Sequence, residues 1–144
     1  MKRTMRTEIT IDAPPERVWA MLAGFENYST WNPFIRSVTG KATPDQLLDI
    51  TVRLSWFPPV RFRGRIDRFR KEKTLGWNVV FLPGLFVANH WFELYPIDSV
   101  RTRFVHCETF SGILGVFLML MLTVALQKNY EAMNAALAYH AEQK

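Results

Sequence analysis

Between Ile35 and Phe110 the sequence repeats one pattern, in which runs of alternating apolar and polar residues are separated by a few turn-forming residues. Alternation is the period of a strand with one buried face and one wet face. Links so short leave no room for the crossover helix that parallel pairing needs, so the pattern commits the chain to an antiparallel sheet. The runs are Ile35 to Thr39, Leu48 to Trp56, an arginine-rich run from Val60, Thr74 to Leu82, Phe86 to Tyr95 and Arg101 to Phe110. An earlier run sets Met5, Thr7, Ile9 and Ile11 against Arg6, Glu8 and Thr10 and supplies another strand.

Helical signals lie on either side of this block. Pro14 and Pro15 suit a first helical turn, and Val18, Trp19 and Leu22 follow at helical spacing, which predicts a short helix ending near Gly24. The aromatic stretch Phe25 to Phe34 is broken by Asn, Ser and Pro and reads as a second short helix or turn. After Gly112 comes GILGVFLMLMLTVAL, free of charge and with one hydroxyl. This run falls short of the roughly 20 apolar residues a membrane span needs. It is closed by Gln127, Lys128 and Asn129, so integral membrane insertion is not expected. A long helix reaching about Ala141, laid over the apolar face of the sheet, accounts for it.

On the helical period Leu118, Met119, Leu122, Leu126, Met133 and Leu137 share the side expected to face the sheet. The opposite side begins with Phe117, Leu120 and Val124, which is more apolar surface than a one-sided lid requires. Two causes fit: burial under the chain's own loops, Phe57 to Pro59 and Leu82 to Phe86, or contact with a second copy or a membrane surface.

The chain has 144 residues, 49% of them hydrophobic and 14% aromatic, which fits one domain spanning 1–144 with ample material for a core or a cavity wall. The net charge of +5 raises the question of nucleic acid. Arg61, Arg63 and Arg65 nevertheless alternate with Val60, Phe62 and Ile66, as solvent-side residues of a strand do, and no nucleic-acid recognition motif accompanies them. The single cysteine, Cys107, fits a reducing cytoplasm and has no partners at metal-ligand spacing. Neither a phosphate-binding glycine loop nor a zinc or serine-hydrolase signature is present, so no cofactor or metal is expected.

The stretches EITIDAPPERVWAML, YSTWNPFI, HWFELYP, TRFVHCETFSG and NYEAMNAAL, in this order and spacing, resemble the SRPBCC superfamily of START and Bet v 1-like helix-grip proteins. Within that superfamily the likeness is to the polyketide cyclase and dehydrase branch, and it covers nearly the whole chain. The resemblance implies an α+β helix-grip fold: a curved antiparallel sheet of about seven strands wrapped around a long C-terminal helix, with two short helices after the first strand. It also implies a hydrophobic cavity between sheet and helix. The family's work ranges from carriage of lipids and hormones to aromatic cyclisation, so fold alone does not choose among them. Pro44, Asp45 and Gln46 stand where relatives often carry a glycine, a departure that touches only the local turn.

Candidate site residues follow from the strand faces. His90, Phe92 and Leu94 share one face of their strand, and Thr102, Phe104, His106 and Glu108 share one face of the next. Turning these faces outward would bury Arg101 and Arg103 without evident partners, so they are expected to face inward. His90, His106 and Glu108 would then meet as a ligand anchor or an acid/base set. Trp31, Phe34, Trp56, Phe62, Trp77, Phe81, Phe92 and Phe104, with Leu118, Met119 and Leu122 from the helix, are the candidate apolar wall. The expected function is binding of a small hydrophobic or aromatic, lipid- or polyketide-like molecule. The alternatives are a cyclase or dehydratase using His90, His106 and Glu108, and a protein- or membrane-interaction module acting through Phe117, Leu120 and Val124.

Overall fold

A computed structural model describes residues 1–143. Strand β1 (Lys2–Ile11) leads into helix α1 (Pro15–Ala23), a 3-10 turn (Phe25–Asn27) and the short helix α2 (Tyr28–Trp31). Strands β2 (Ile35–Thr39), β3 (Leu47–Val52), β4 (Val60–Arg70), β5 (Thr74–Leu82), β6 (Phe86–Pro96) and β7 (Thr102–Ser111) follow in succession. Helices α3 (Ile113–Met121) and α4 (Thr123–Ala141) close the chain.

All seven strands form one sheet in the order β1-β7-β6-β5-β4-β3-β2, and every pairing is antiparallel. From β3 to β7 each strand pairs with its predecessor in sequence, while β1 skips β2 and docks against β7, so that the first and last strands are neighbours. Register shifts in β2/β3, β4/β5 and β5/β6 help the sheet curl. Its concave face packs on α4, whose inner side contributes Leu126, Tyr130, Met133 and Leu137 to the core, while α1 contributes Val18, Trp19 and Leu22. This is the helix-grip architecture expected from the sequence. Arg101 and Arg103 point outward and pair with Asp98 and Glu8, as the choice of inward face requires.

Two local expectations are corrected, and one of two open alternatives is removed. Strand β3 stops at Val52 rather than Trp56. The segment beyond it leaves the sheet ahead of Pro58 and Pro59, with Ser55 at φ 52° and held by Asn129 of α4, whose side chain accepts from the Ser55 amide and donates to the Ser55 hydroxyl. The C-terminal helix is two helices that meet at 76° around Leu122. The Thr123 hydroxyl donates to the carbonyls of Met119 and Leu120, at 2.8 and 3.3 Å, and side-chain bonding of this kind bends helices. The one hydroxyl in the apolar run therefore marks its break. Finally, Phe117, Leu120 and Val124 are not covered by the loops at 57–59 and 82–86; they are exposed, Val124 by 81%. No single helix among the described residues is long and apolar enough to cross a membrane.

Candidate functional site

Alternation along β6 and β7 turns His90, His106 and Glu108 into the concave side, and the register sets His90 opposite Glu108 and Phe92 opposite His106. His90 and His106 are thus diagonal neighbours, and their Nε2 atoms lie 2.6 Å apart. Helix α4 approaches from above with Tyr130 and Asn134, one turn apart. The Asn134 Oδ1 atom lies 2.8 Å from His106 Nδ1, and Asn134 Nδ2 donates to Thr7 Oγ1 of β1, also at 2.8 Å. Tyr130 donates its hydroxyl hydrogen to the Glu108 carboxylate in a short hydrogen bond.

This network fixes the protons. Because Asn134 presents its oxygen to His106, the His106 Nδ1 atom carries the hydrogen and its Nε2 atom is a bare acceptor. His90 must then donate through Nε2, which leaves its Nδ1 atom as a lone pair with no hydrogen-bond partner among the described residues. That atom is not sealed in protein, since the only sealed and unpartnered side-chain polar atom among the described residues is Asn32 Nδ2. His90 lines a cavity, and its free nitrogen is available there.

The cavity has a volume of about 240 Å³. Strands β3 to β5 contribute Ile50, Val52, Val60, Phe62, Trp77, Val79 and Phe81 to its wall. Phe34, Leu54, Phe86, Ala88, Phe110, Leu118, Leu122 and Leu126 complete the apolar part, and His90 and Glu108 are its titratable groups. Val60 belongs to the wall and is also 52% exposed, which places the opening at the end of the sheet where β4 begins. Glu108 is half-buried, and the surface it keeps faces this cavity rather than bulk water.

Burial acts on each ionisable group. It pushes the Glu108 carboxyl up to about 7, although the Tyr130 hydroxyl favours the charged form. It lowers His106 to about 4 against the opposing pull of Asn134. His90 falls well below the ordinary imidazole range through burial and then through the proximity of His106, since two imidazoles in contact cannot both carry charge. Tyr130 is raised by burial and by Glu108. At neutral pH the site therefore holds two uncharged imidazoles and a carboxyl poised between donor and acceptor.

The structure brings Phe34, Phe62, Trp77, Phe81, Leu118, Leu122, His90 and Glu108 together on the cavity wall. His106 sits behind that wall, fully buried, where it touches His90 rather than the space itself. Phe92, Phe104 and Met119 pack in the solid core, and Trp31 stacks edge-on against Tyr28 away from the cavity. Trp56 lies in the loop after β3, 80% exposed and stacked on Phe57. Tyr130, Asn134 and Thr7 are not among the candidate site residues read from the sequence. Their signal was a polar group on an otherwise apolar face, at the i, i+4 positions among Leu126, Met133 and Leu137, and at the second inward position of β1. Among the described residues no group of three His, Cys, Asp or Glu side chains is placed to hold a metal ion.

Comparison with known proteins gives a consistent result. Residues 2–142 match the profile of a family described as polyketide cyclase / dehydrase and lipid transport. Among solved structures, the chain resembles the Zhui aromatase/cyclase from Streptomyces sp. R1128, with 17% identity, 99% of this chain and 94% of that one covered, and a TM-score of 0.80. It also resembles norcoclaurine synthase from Thalictrum flavum in complex with dopamine and hydroxybenzaldehyde, with 10% identity, 100% and 90% coverage and a TM-score of 0.73. For Ara h 8.0201 the values are 17%, 95% and 98%, and 0.65. Comparison with curated proteins gives no match. At these identities the likeness is one of fold.

Proposed function

Since the chain belongs to the family of polyketide cyclases, dehydrases and lipid-transport proteins, we propose that it binds a small, largely apolar molecule in the cavity between sheet and C-terminal helices. The observation that carries this reading is the wall itself: aliphatic and aromatic side chains all round, with His90 and Glu108 as its two ionisable groups. A cavity of about 150 Å³ takes up benzene, so about 240 Å³ suits a molecule of one or two rings, or a short acyl chain. His90 Nδ1 accepts a hydrogen bond from a hydroxyl on such a ligand. Glu108, half protonated near neutrality, accepts or donates as the ligand requires. Titration with 1-naphthol, followed by calorimetry, tests this. Saturable binding that is lost in Ala88→Phe, where a ring fills the cavity, is the expected result; undiminished binding by that variant would refute the site.

One observation favours a second reading, acid–base catalysis of the dehydratase or cyclase type. A carboxyl raised to about 7 beside an unpartnered imidazole nitrogen is the pair such chemistry uses. In a β-hydroxy ketone, His90 Nδ1 takes the proton α to the carbonyl. Electrons move to form the carbon–carbon double bond, the β carbon–oxygen bond breaks, and Glu108 delivers a proton to the departing hydroxide to give water. The imidazolium formed on His90 is stabilised because its Nε2 hydrogen remains bonded to His106. Glu108→Gln preserves the shape and the acceptor for Tyr130 but cannot transfer a proton. On this reading it binds 1-naphthol normally and has lost turnover of such a ketone; equal turnover by variant and parent would dismiss the chemistry and leave binding standing.

A further inference from the structure

The end of the molecule at which the cavity opens has a composition unlike the rest. Helix α3 carries no charge; it buries Gly115, Val116 and Met119 and turns Ile113, Phe117, Leu120 and Met121 to solvent, the last of these 68% exposed. Val124 continues the surface onto α4, and exposed Leu85, Trp56 and Val60 stand on neighbouring loops and strand ends. A contiguous apolar surface of this kind marks a contact site. The segments that run through this end, residues 50–66, 73–92 and 109–130, contain no Asp or Glu, and β1 has none before Glu8. Exposed cations do occur here: Lys2, opposite Ser111 in the sheet, with Arg3, Arg53, Arg61 and Lys128. Among the described residues none of these is in an ion pair.

We propose that this face docks on a lipid bilayer bearing anionic headgroups, with α3 lying in the interface and the cavity mouth turned toward the lipid. Apolar side chains enter the boundary region while the surrounding cations meet lipid phosphates, the combination by which surface-lying helices bind. A second copy of the chain fits less well. A two-fold contact sets each patch against itself, which would bring these unpaired cations together. Spanning is excluded by size, because the nine residues of α3 rise about 13.5 Å against the roughly 30 Å of a hydrocarbon core, and α4 leaves at 76°. The inference stands on the surface alone and does not require that the cavity hold a ligand.

Sedimentation with vesicles of equimolar phosphatidylglycerol and phosphatidylcholine tests it. The full chain is expected to sediment with these vesicles and not with phosphatidylcholine alone. Leu120→Glu combined with Val124→Glu changes exposed positions, so the fold should persist, and the partition constant is expected to fall about tenfold or more. Arg53→Gln combined with Arg61→Gln should weaken binding through charge alone, and molar salt should do the same. Equal binding to both vesicle types, or binding untouched by either variant pair, overturns the proposal. So does a dimer in sedimentation velocity that Leu120→Glu dissociates while vesicles bind nothing.

Discussion

His90 and His106 share a single hydrogen between their Nε2 atoms across 2.6 Å, and both side chains are withdrawn from bulk water. Neither can take up a proton in the folded state as readily as it does when the chain is unfolded, and this couples the site to stability.

Unfolded histidine titrates near 6.5, whereas His106 is lowered to about 4 and His90 also lies well below its usual range. Below about pH 6.5 the unfolded chain thus takes up protons that the native site refuses. The stability these residues contribute is complete above that pH and is lost as pH falls toward 4. Glu108 acts in the opposite sense. Its folded value of about 7 exceeds the unfolded 4.5, so its contribution is complete below pH 4.5 and is lost as pH rises through 7. Between 4.5 and 6.5 the two slopes oppose each other. Glu108→Gln should therefore lose stability more steeply than the parent on acidification through that window, as read from urea unfolding at several pH values. Parallel curves would show that Glu108 keeps an ordinary carboxyl.

Asn134 holds His106 in one tautomer and ties β1 to α4 through Thr7. Asn134→Leu leaves the buried His106 Nδ1 hydrogen without an acceptor and should cost about 2 kcal/mol of stability in chemical denaturation. Asn134→Asp places a carboxylate at the same point. It should raise the His106 titration upward from about 4, which an NMR pH titration of the imidazole resonances would detect.

Trp77 and Trp56 were equal candidates on sequence grounds, yet one is buried at the cavity wall and the other stands in solvent. Trp77→Ala should cost about 3–5 kcal/mol. Trp56→Ala should stay within about 0.5 kcal/mol. Thermal and urea unfolding of the two variants would separate them, and similar losses would mean that the loop after β3 packs down over the mouth.

Much of the fold could be read in advance because alternation survives wherever one face of a strand is wet. β5 and β2 begin and end where the pattern does, and the inward faces of β6 and β7 follow once Arg101 and Arg103 are refused burial. Two features were hidden for different reasons. The break at Leu122 depends on a hydroxyl competing with the backbone, and a helical wheel drawn through Thr123 ignores that competition. The roles of Tyr130 and Asn134 depend on which residues of β7 lie beneath them, a distance of 22 positions for Tyr130–Glu108 and 28 for Asn134–His106 that no local period encodes.

Gly112 and Gly84 both have positive φ, 84° and 74°, so an alanine at either is strained. They differ in space. A Cβ at Gly112 would lie 2.3 Å from the Leu85 carbonyl oxygen, while one at Gly84 meets nothing within 4 Å. Gly84→Ala should cost about 1 kcal/mol and Gly112→Ala distinctly more, about 2 kcal/mol or above, because α3 must shift to relieve the contact. Equal melting temperatures for the two variants would show that α3 yields without resistance.

The docking of β1 beside β7 also dictates a timetable. The bond from Asn134 to Thr7 joins residues 127 apart, and Lys2 pairs with Ser111. At a synthesis rate of about 5–20 residues per second, the first strand waits roughly 5–20 s on the ribosome before its neighbour exists. Throughout that interval β1 has no strand partner, and the strands already made can pair only as an open ribbon running from β2 toward β6. Closing the sheet therefore waits for β7, and the bond that ties Thr7 to Asn134 waits longer still, for α4.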